Sequence, residues 1–170
     1  MSTRILVTGG ASGLGAALVR ALVGAGHDVA FTYRSSGEAA EALVSELAAA
    51  HPARMVTAHA LDLADRTALD AFCESLEDEA FYGLVHNAGQ SSDALAAMLD
   101  QDRAEAAMQV NFWSLTRIAK SLMRGMIRAP VTGAVLPSRS SNSTSDRHAT
   151  SAPRTFATPS KARERWCGNE

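Results

Sequence analysis

Residues Thr8 to Gly15 read Thr-Gly-Gly-Ala-Ser-Gly-Leu-Gly, a spacing of glycines that lets a backbone wrap a pair of phosphates. Gly9 permits a sharp turn, and Gly13 removes a Cβ where a pyrophosphate would approach. Gly15 lets the following helix pack close. Thr8, Ser12 and Leu14 complete the stretch, and the free N–H groups of a first helical turn would point at the anion. A plain strand-to-helix loop is the competing reading of any such triplet, and the apolar segments on both sides favour the nucleotide. Other nucleotide chemistries are excluded by neighbours. A P-loop closes on Gly-Lys-Ser/Thr, whereas Gly15 is followed by Ala16-Ala17. A methyl-donor site of the doubly wound kind carries an acid at the end of its first strand, where Thr8 stands.

A second chemical feature is Tyr33-Arg34-Ser35, which follows the glycines by about twenty residues. A carboxylate at that place would pair with both ribose hydroxyls of NAD and repel an added phosphate. None is present. Arg34 can fork onto a 2′-phosphate and Ser35 can donate to it, so NADP(H) is preferred, with NAD(H) the alternative.

These residues need a scaffold that brings distant segments together. Ile5-Leu6-Val7 is a buried strand running into the glycines, and Ala16 to Leu22 is the helix after them. Strands are expected over 27–33, 54–60 and 81–86. Helices are expected over about 38–50, from Asp65 as N-cap, and in one long run over about 103–128. The long run places Phe112, Leu115, Ile118, Ala119, Leu122 and Met126 on one stripe. Strands alternating with helices imply an α/β fold, a doubly wound parallel sheet covered on both faces. Right-handed crossovers gather the strand ends at one edge, bringing Gly9 to Gly15, Arg34, Asp62 and Asn87 together.

The chain of 170 residues carries a net charge of −2, which gives no footprint for nucleic acid or an anionic membrane. No apolar run reaches the roughly 20 residues that span a bilayer. Met1 to Arg4 leads straight into the first strand, so no signal peptide is expected. Cys73 and Cys167 stand far apart, supporting neither a disulfide framework nor a metal site, and the expectation is cytoplasmic. Cys73 reads as a small buried hydrophobe and His86 as a locally bonded residue. Met98, Met108, Met123 and Met126 read as core or helix-pairing surface.

Taken together, Thr8 to Gly15 resembles the TGxxxGxG signature of the short-chain dehydrogenase/reductase family. Asp62-Leu63 resembles the adenine-contacting segment, and Asn87-Ala88-Gly89 the NAG segment that closes over the cofactor. Asn111 falls where the family keeps an asparagine supporting a proton-relay water. The resemblance covers about residues 1–136 and is nearest the 3-oxoacyl-acyl-carrier-protein reductase branch. It implies a Rossmann domain, NADP-dependent reduction of a carbonyl such as a 3-oxoacyl thioester, and a homo-oligomer formed through the long helix.

The resemblance then stops. The family's acid is a Tyr with a Lys four residues later, assisted by a Ser. Only Tyr33 and Tyr82 occur here, and no Tyr-x-x-x-Lys exists. Around Lys161 only Ser160-Lys161-Ala162 echoes the motif, and Ala157 stands where the Tyr would be. Ser138, Ser140 and Ser141 lie near the place of the family's serine without an assignable match. From Pro137 apolar periodicity is lost, so residues 137–170 read as a disordered tail and the sheet as truncated after about its fifth strand. A reading-frame change near residue 137 would account for the break, with natural divergence of the tail the alternative. A non-catalytic dinucleotide-binding module, or an inactive fragment associating with related subunits, is the alternative function.

Overall fold

The computed structural model describes residues 3–77, 79–128 and 134–137, all within one compact unit, Met1–Arg139. Strand β1 (Arg4–Thr8) carries Ile5, Leu6 and Val7, all buried, and is flanked on both sides. It leads into α1 (Gly13–Gly24), β2 (Asp28–Tyr33), α2 (Gly37–Ala50) and β3 (Val56–Ala60). Helix α3 (Arg66–Ser75) and β4 (Gly83–His86) follow, then a 3-10 turn at Ala96–Met98 and α4 (Gln101–Met108). A π-helical turn, Gln109–Trp113, joins α4 to α5 (Ser114–Arg128), and β5 (Ala134–Pro137) comes last.

The strands form one parallel sheet in the order β3-β2-β1-β4-β5. Parallel pairs need crossovers, and the helices supply them on both faces. On one face α1 and α2 bury Val19, Val23, Leu43 and Leu47 against Val7, Val29 and Phe31. On the other, α3 and α5 bury Leu69, Phe72, Ile118 and Leu122 against Leu6 and Leu84. Each of these large side chains contributes about 1.5–3 kcal/mol by leaving water. The doubly wound α/β class expected from the sequence is the observed one.

Local chemistry sets the element ends. The Asp65 carboxylate caps α3, accepting from the Thr67 and Ala68 N–H groups at 2.9 and 3.1 Å. Helix α5 is pinned on α3 where Ser121 Oγ donates to the Cys73 carbonyl at 2.6 Å. Exposed pairs Arg117–Asp70 and Arg124–Glu77 flank that bond and contribute little each. Cys73 itself is half-buried against the core, and burial, with Asp70 beside it, pushes its thiol up to about 11. The thiol therefore stays protonated and unreactive.

Three expectations are corrected. The helix read as continuous over 103–128 begins at Gln101 and is interrupted by the π turn. Of the expected stripe, Ile118 and Leu122 are buried and Leu115, Ala119 and Met126 pack against the core, whereas Phe112, in the π turn, faces outward and is 45% exposed. Strand β3, expected to be covered on both faces like the rest of the sheet, is an edge strand whose residues are half-buried or exposed. Met98, read as core or helix-pairing surface, lies exposed in the 3-10 turn, whereas Met126 packs against the core and Met108 and Met123 lie on the outer surface of α4 and α5, within that reading. Of the expected tail, only Pro137 is among the described residues; Ser138, Ser140, Ser141 and Lys161 lie outside them.

Candidate coenzyme-binding site

The order of strands reverses between β1 and β4: the chain steps outward from β1 to β3, then returns to the other side of β1. At such a switch point two loops diverge and leave a crevice beyond the carboxyl ends of the strands. A cleft of about 390 Å³ lies there. From one wall come Gly9, Ser12, Leu14 and Gly15, and from the end of β2 come Arg34 and Ser35. Asp62 and Leu63 enter after β3, and Asn87, Ala88 and Gly89 after β4. All of these were named from sequence.

The glycine turn is closely fitted. Gly9 has φ +68° and lies against Ala88, where a Cβ would stand 3.0 Å from the Ala88 Cα. A Cβ on Gly15 would stand 1.9 Å from the Gly9 carbonyl oxygen and 2.7 Å from Asn87 Nδ2. The close approach at Gly15 is thus to its own turn and to the segment after β4. Asn87 Nδ2 donates to the Gly9 carbonyl at 3.0 Å, tying the two loops across the cleft floor. The Gly10 N–H donates to the Thr32 carbonyl at 2.8 Å, fixing the turn to β2 as well. Helix α1 starts at Gly13, and its N-cap Ser12 makes no side-chain cap bond, so the first-turn N–H groups and the Ser12 hydroxyl stay available.

Three sequence-named residues do not line the cleft. Thr8 is fully buried, and its hydroxyl oxygen accepts from the Asn87 and Ala88 N–H groups at 3.1 and 3.2 Å. Its third partner is His86 Nδ1 at 3.0 Å. Thr8 therefore braces the site and cannot touch a ligand. Gly13 lies outside the lining with φ +52° and open space at its Cβ position, so the backbone angle is what calls for glycine. Asn111 is spent on one neighbour: its Oδ1 accepts from the Gln90 N–H and its Nδ2 donates to the Gln90 carbonyl, both at 2.8 Å. Through that pair the π turn holds the loop after β4.

Ser36, Gln90 and Val110 line the cleft without having been named. Ser36 and Gln90 adjoin named residues in the chain. Val110 comes from the π turn, and no local pattern announces it. The two tyrosines are far apart in role. Tyr33 lies at the Arg34 corner of the cleft. Tyr82 precedes β4 at the opposite edge, where its N–H donates to the Arg4 carbonyl at 2.7 Å and its ring stacks on His27.

The charged groups of the cleft are asymmetric. Arg34 is exposed, and its guanidinium makes no hydrogen bond or ion pair among the described residues. The Asp62 carboxylate accepts from the Ala64 N–H at 2.9 Å and shapes its own turn. His86 is held below the ordinary imidazole value by burial, partly offset by the Val110 backbone.

Residues 3–152 match the short chain dehydrogenase family, a stretch that continues past the composition change at Pro137. A 3-oxoacyl-acyl-carrier-protein reductase MabA from Mycobacterium tuberculosis is 30% identical over 130 residues, covering 75% of this chain and 47% of that protein. A probable oxidoreductase from Streptomyces antibioticus is 53% identical over 72 residues, covering 42% of this chain and 24% of that protein. Among solved structures, a short-chain dehydrogenase from Sphingobium yanoikuyae in complex with NADPH superposes with TM-score 0.72 at 26% identity. It covers 79% of this chain and 52% of its own. A short chain dehydrogenase from Burkholderia cenocepacia in complex with NADP superposes with TM-score 0.65 at 32% identity, covering 72% of this chain and 50% of its own. The chain spans about half the length, or less, of the relatives it matches. With this fold, this glycine turn and a match over most of its length, the chain belongs to the short chain dehydrogenase family.

Proposed function

We propose that the chain carries the coenzyme-binding half of an NADP(H)-dependent carbonyl reductase, the dinucleotide lying along the cleft from Arg34 to Gly89. The observation that carries the preference for NADP(H) is the uncommitted Arg34 guanidinium at the end of β2, with Ser35 beside it and no carboxylate there. The cleft suits the dinucleotide: a turn too tight for a side chain at Gly15, an open helix start at Gly13, and a cation where a 2′-phosphate would lie. NADPH and NADP in the solved relatives support the same reading.

In this reading the first-turn N–H groups of α1 and the Ser12 hydroxyl bind the pyrophosphate, and Asp62 and Leu63 border the adenine. Asn87 and Asn111 keep the loop after β4 closed on the coenzyme, Asn111 acting through Gln90. The bound coenzyme supplies a hydride, and the likeness to MabA supports a 3-oxoacyl thioester as its acceptor. A second reading, a dinucleotide-binding module without turnover that associates with related subunits, is favoured by the tyrosines. Gly37 and His86 stand four residues after them, so no Tyr-x-x-x-Lys occurs. A missing general acid alone removes about 10²–10⁴-fold in rate.

Calorimetry with NADP⁺ and NAD⁺, followed by NADPH consumption with a panel of ketones and 3-oxoacyl thioesters, tests both readings. NADP⁺ is expected to bind more tightly than NAD⁺. Arg34→Ala should weaken NADP⁺ about 10-fold or more, since a charge-assisted bond contributes about 1.5–3 kcal/mol, and leave NAD⁺ unchanged. Tighter NAD⁺ binding overturns the NADP preference, and a folded chain that binds neither overturns the nucleotide reading. Binding without turnover selects the module.

A further inference from the structure

The Thr8 hydroxyl is saturated in a way that assigns a proton. Its oxygen receives the Asn87 and Ala88 N–H groups, which can only donate, and these use both of its lone pairs. The hydroxyl proton is left for its third partner, His86 Nδ1 at 3.0 Å, which must therefore accept. The ring is then neutral with its proton on Nε2. That atom is buried without a hydrogen-bond partner in a side chain only 7% exposed. A proton added at Nδ1 would put three donors on one oxygen and leave the Thr8 hydroxyl proton with no acceptor.

We infer that His86 is a positioning residue: as a neutral acceptor it holds Thr8, and through Thr8 the Asn87–Ala88 backbone, against the glycine turn, and protonation of the ring opens the coenzyme cleft. The line of contacts is continuous. His86 meets Thr8, Thr8 meets the Asn87 and Ala88 amides, and Asn87 Nδ2 meets the Gly9 carbonyl inside the cleft. Among the described residues the ring meets Thr8 from β1 and the Val110 backbone from the π turn, and the His86 backbone is in register with Pro137 on β5. None of these titrates, and no charged side chain contributes to the lowering of the ring's proton affinity. Folding favours the neutral ring. Stability is therefore expected to decline as pH falls from about 6.5 through the ring's lowered value, since the unfolded chain takes up the proton first.

The inference goes beyond the coenzyme reading but shares its cleft, so the test has one arm with coenzyme and one without. In the first, the dissociation constant of NADP⁺ is measured from about pH 8 to pH 5 for the native chain and for His86→Asn, whose amide oxygen accepts from Thr8 without titrating. The native constant should rise by up to about tenfold per pH unit below the ring's proton affinity. The coenzyme's own 2′-phosphate titrates in the same range, with a second pKa of about 6, and contributes equally to both proteins. The ratio of acid to neutral constants should therefore be several-fold smaller in H86N, and an equal ratio overturns the inference. In the second arm, imidazole nitrogen shifts of the native chain at about pH 8 should show Nδ1 bare and Nε2 protonated. The Asn87 and Ala88 amide shifts should then move with the ring's titration. Those movements support the inference even where no coenzyme binds. A protonated Nδ1 in the neutral ring, or amides that stay still, overturns it.

Discussion

At Gly15 there is no room for a side chain of any kind, because a Cβ would overlap the Gly9 carbonyl oxygen. Gly15→Ala is expected to cost about 1–3 kcal/mol or more by overpacking and to lower the melting temperature by several degrees. Coenzyme binding should fall with it, since the turn must open to admit the methyl group. An unchanged melting curve would show that the fit described at Gly15 is wrong. The glycines were legible because their spacing is local, yet their individual reasons were only partly so. Gly15 was read as packing helix on strand, and the atoms it meets are the Gly9 carbonyl and the Asn87 amide. Gly10 drew no notice in the sequence, although a Cβ there would lie 2.5 Å from the Phe31 Cβ. Thr8 was read as part of the cofactor-binding stretch, and its hydroxyl is held by residues about eighty positions away in the chain.

The helical run after β4 shows where element-level reading fails and why. Its apolar residues recur at helical spacing, so the sequence gives one uninterrupted stripe. The π turn inserts a residue that spacing alone does not reveal. Beside it the Ser114 hydroxyl donates to the Val110 carbonyl at 2.6 Å, and from it Asn111 reaches sideways to Gln90. Removing the sideways bond with Asn111→Leu gives up two exposed hydrogen bonds, about 0.5–1.5 kcal/mol each. The expected outcome is a small loss of melting temperature and a larger loss of NADP⁺ affinity, as the loop carrying Asn87 to Gln90 loosens. Equal binding by N111L and the native chain would remove Asn111 from the site. By contrast the start of α3 was readable, since Asp65 satisfies the first-turn N–H groups through purely local geometry.

At the scale of the molecule, alternating strands and helices were enough to give a parallel sheet with its crevice at the carboxyl ends of the strands. Which surface stays uncovered was less readable. Met108, Phe112, Trp113, Met123 and Ile127 are exposed along α4, the π turn and α5. Apolar groups concentrated in this way favour association. The chain is expected to scatter light as a self-associating species at micromolar concentration, and Met123→Lys with Ile127→Lys should shift it toward monomer. A native chain that is already a sharp monomer would count against that. The central place of β1 also bears on how the chain leaves the ribosome. β1 is made before its neighbours, and the second of them, β4, arrives only after three helices and two other strands. Until Gly83–His86 emerges, the nascent chain presents Ile5, Leu6 and Val7 along an open strand edge. That interval is when a holding chaperone would matter most to its yield.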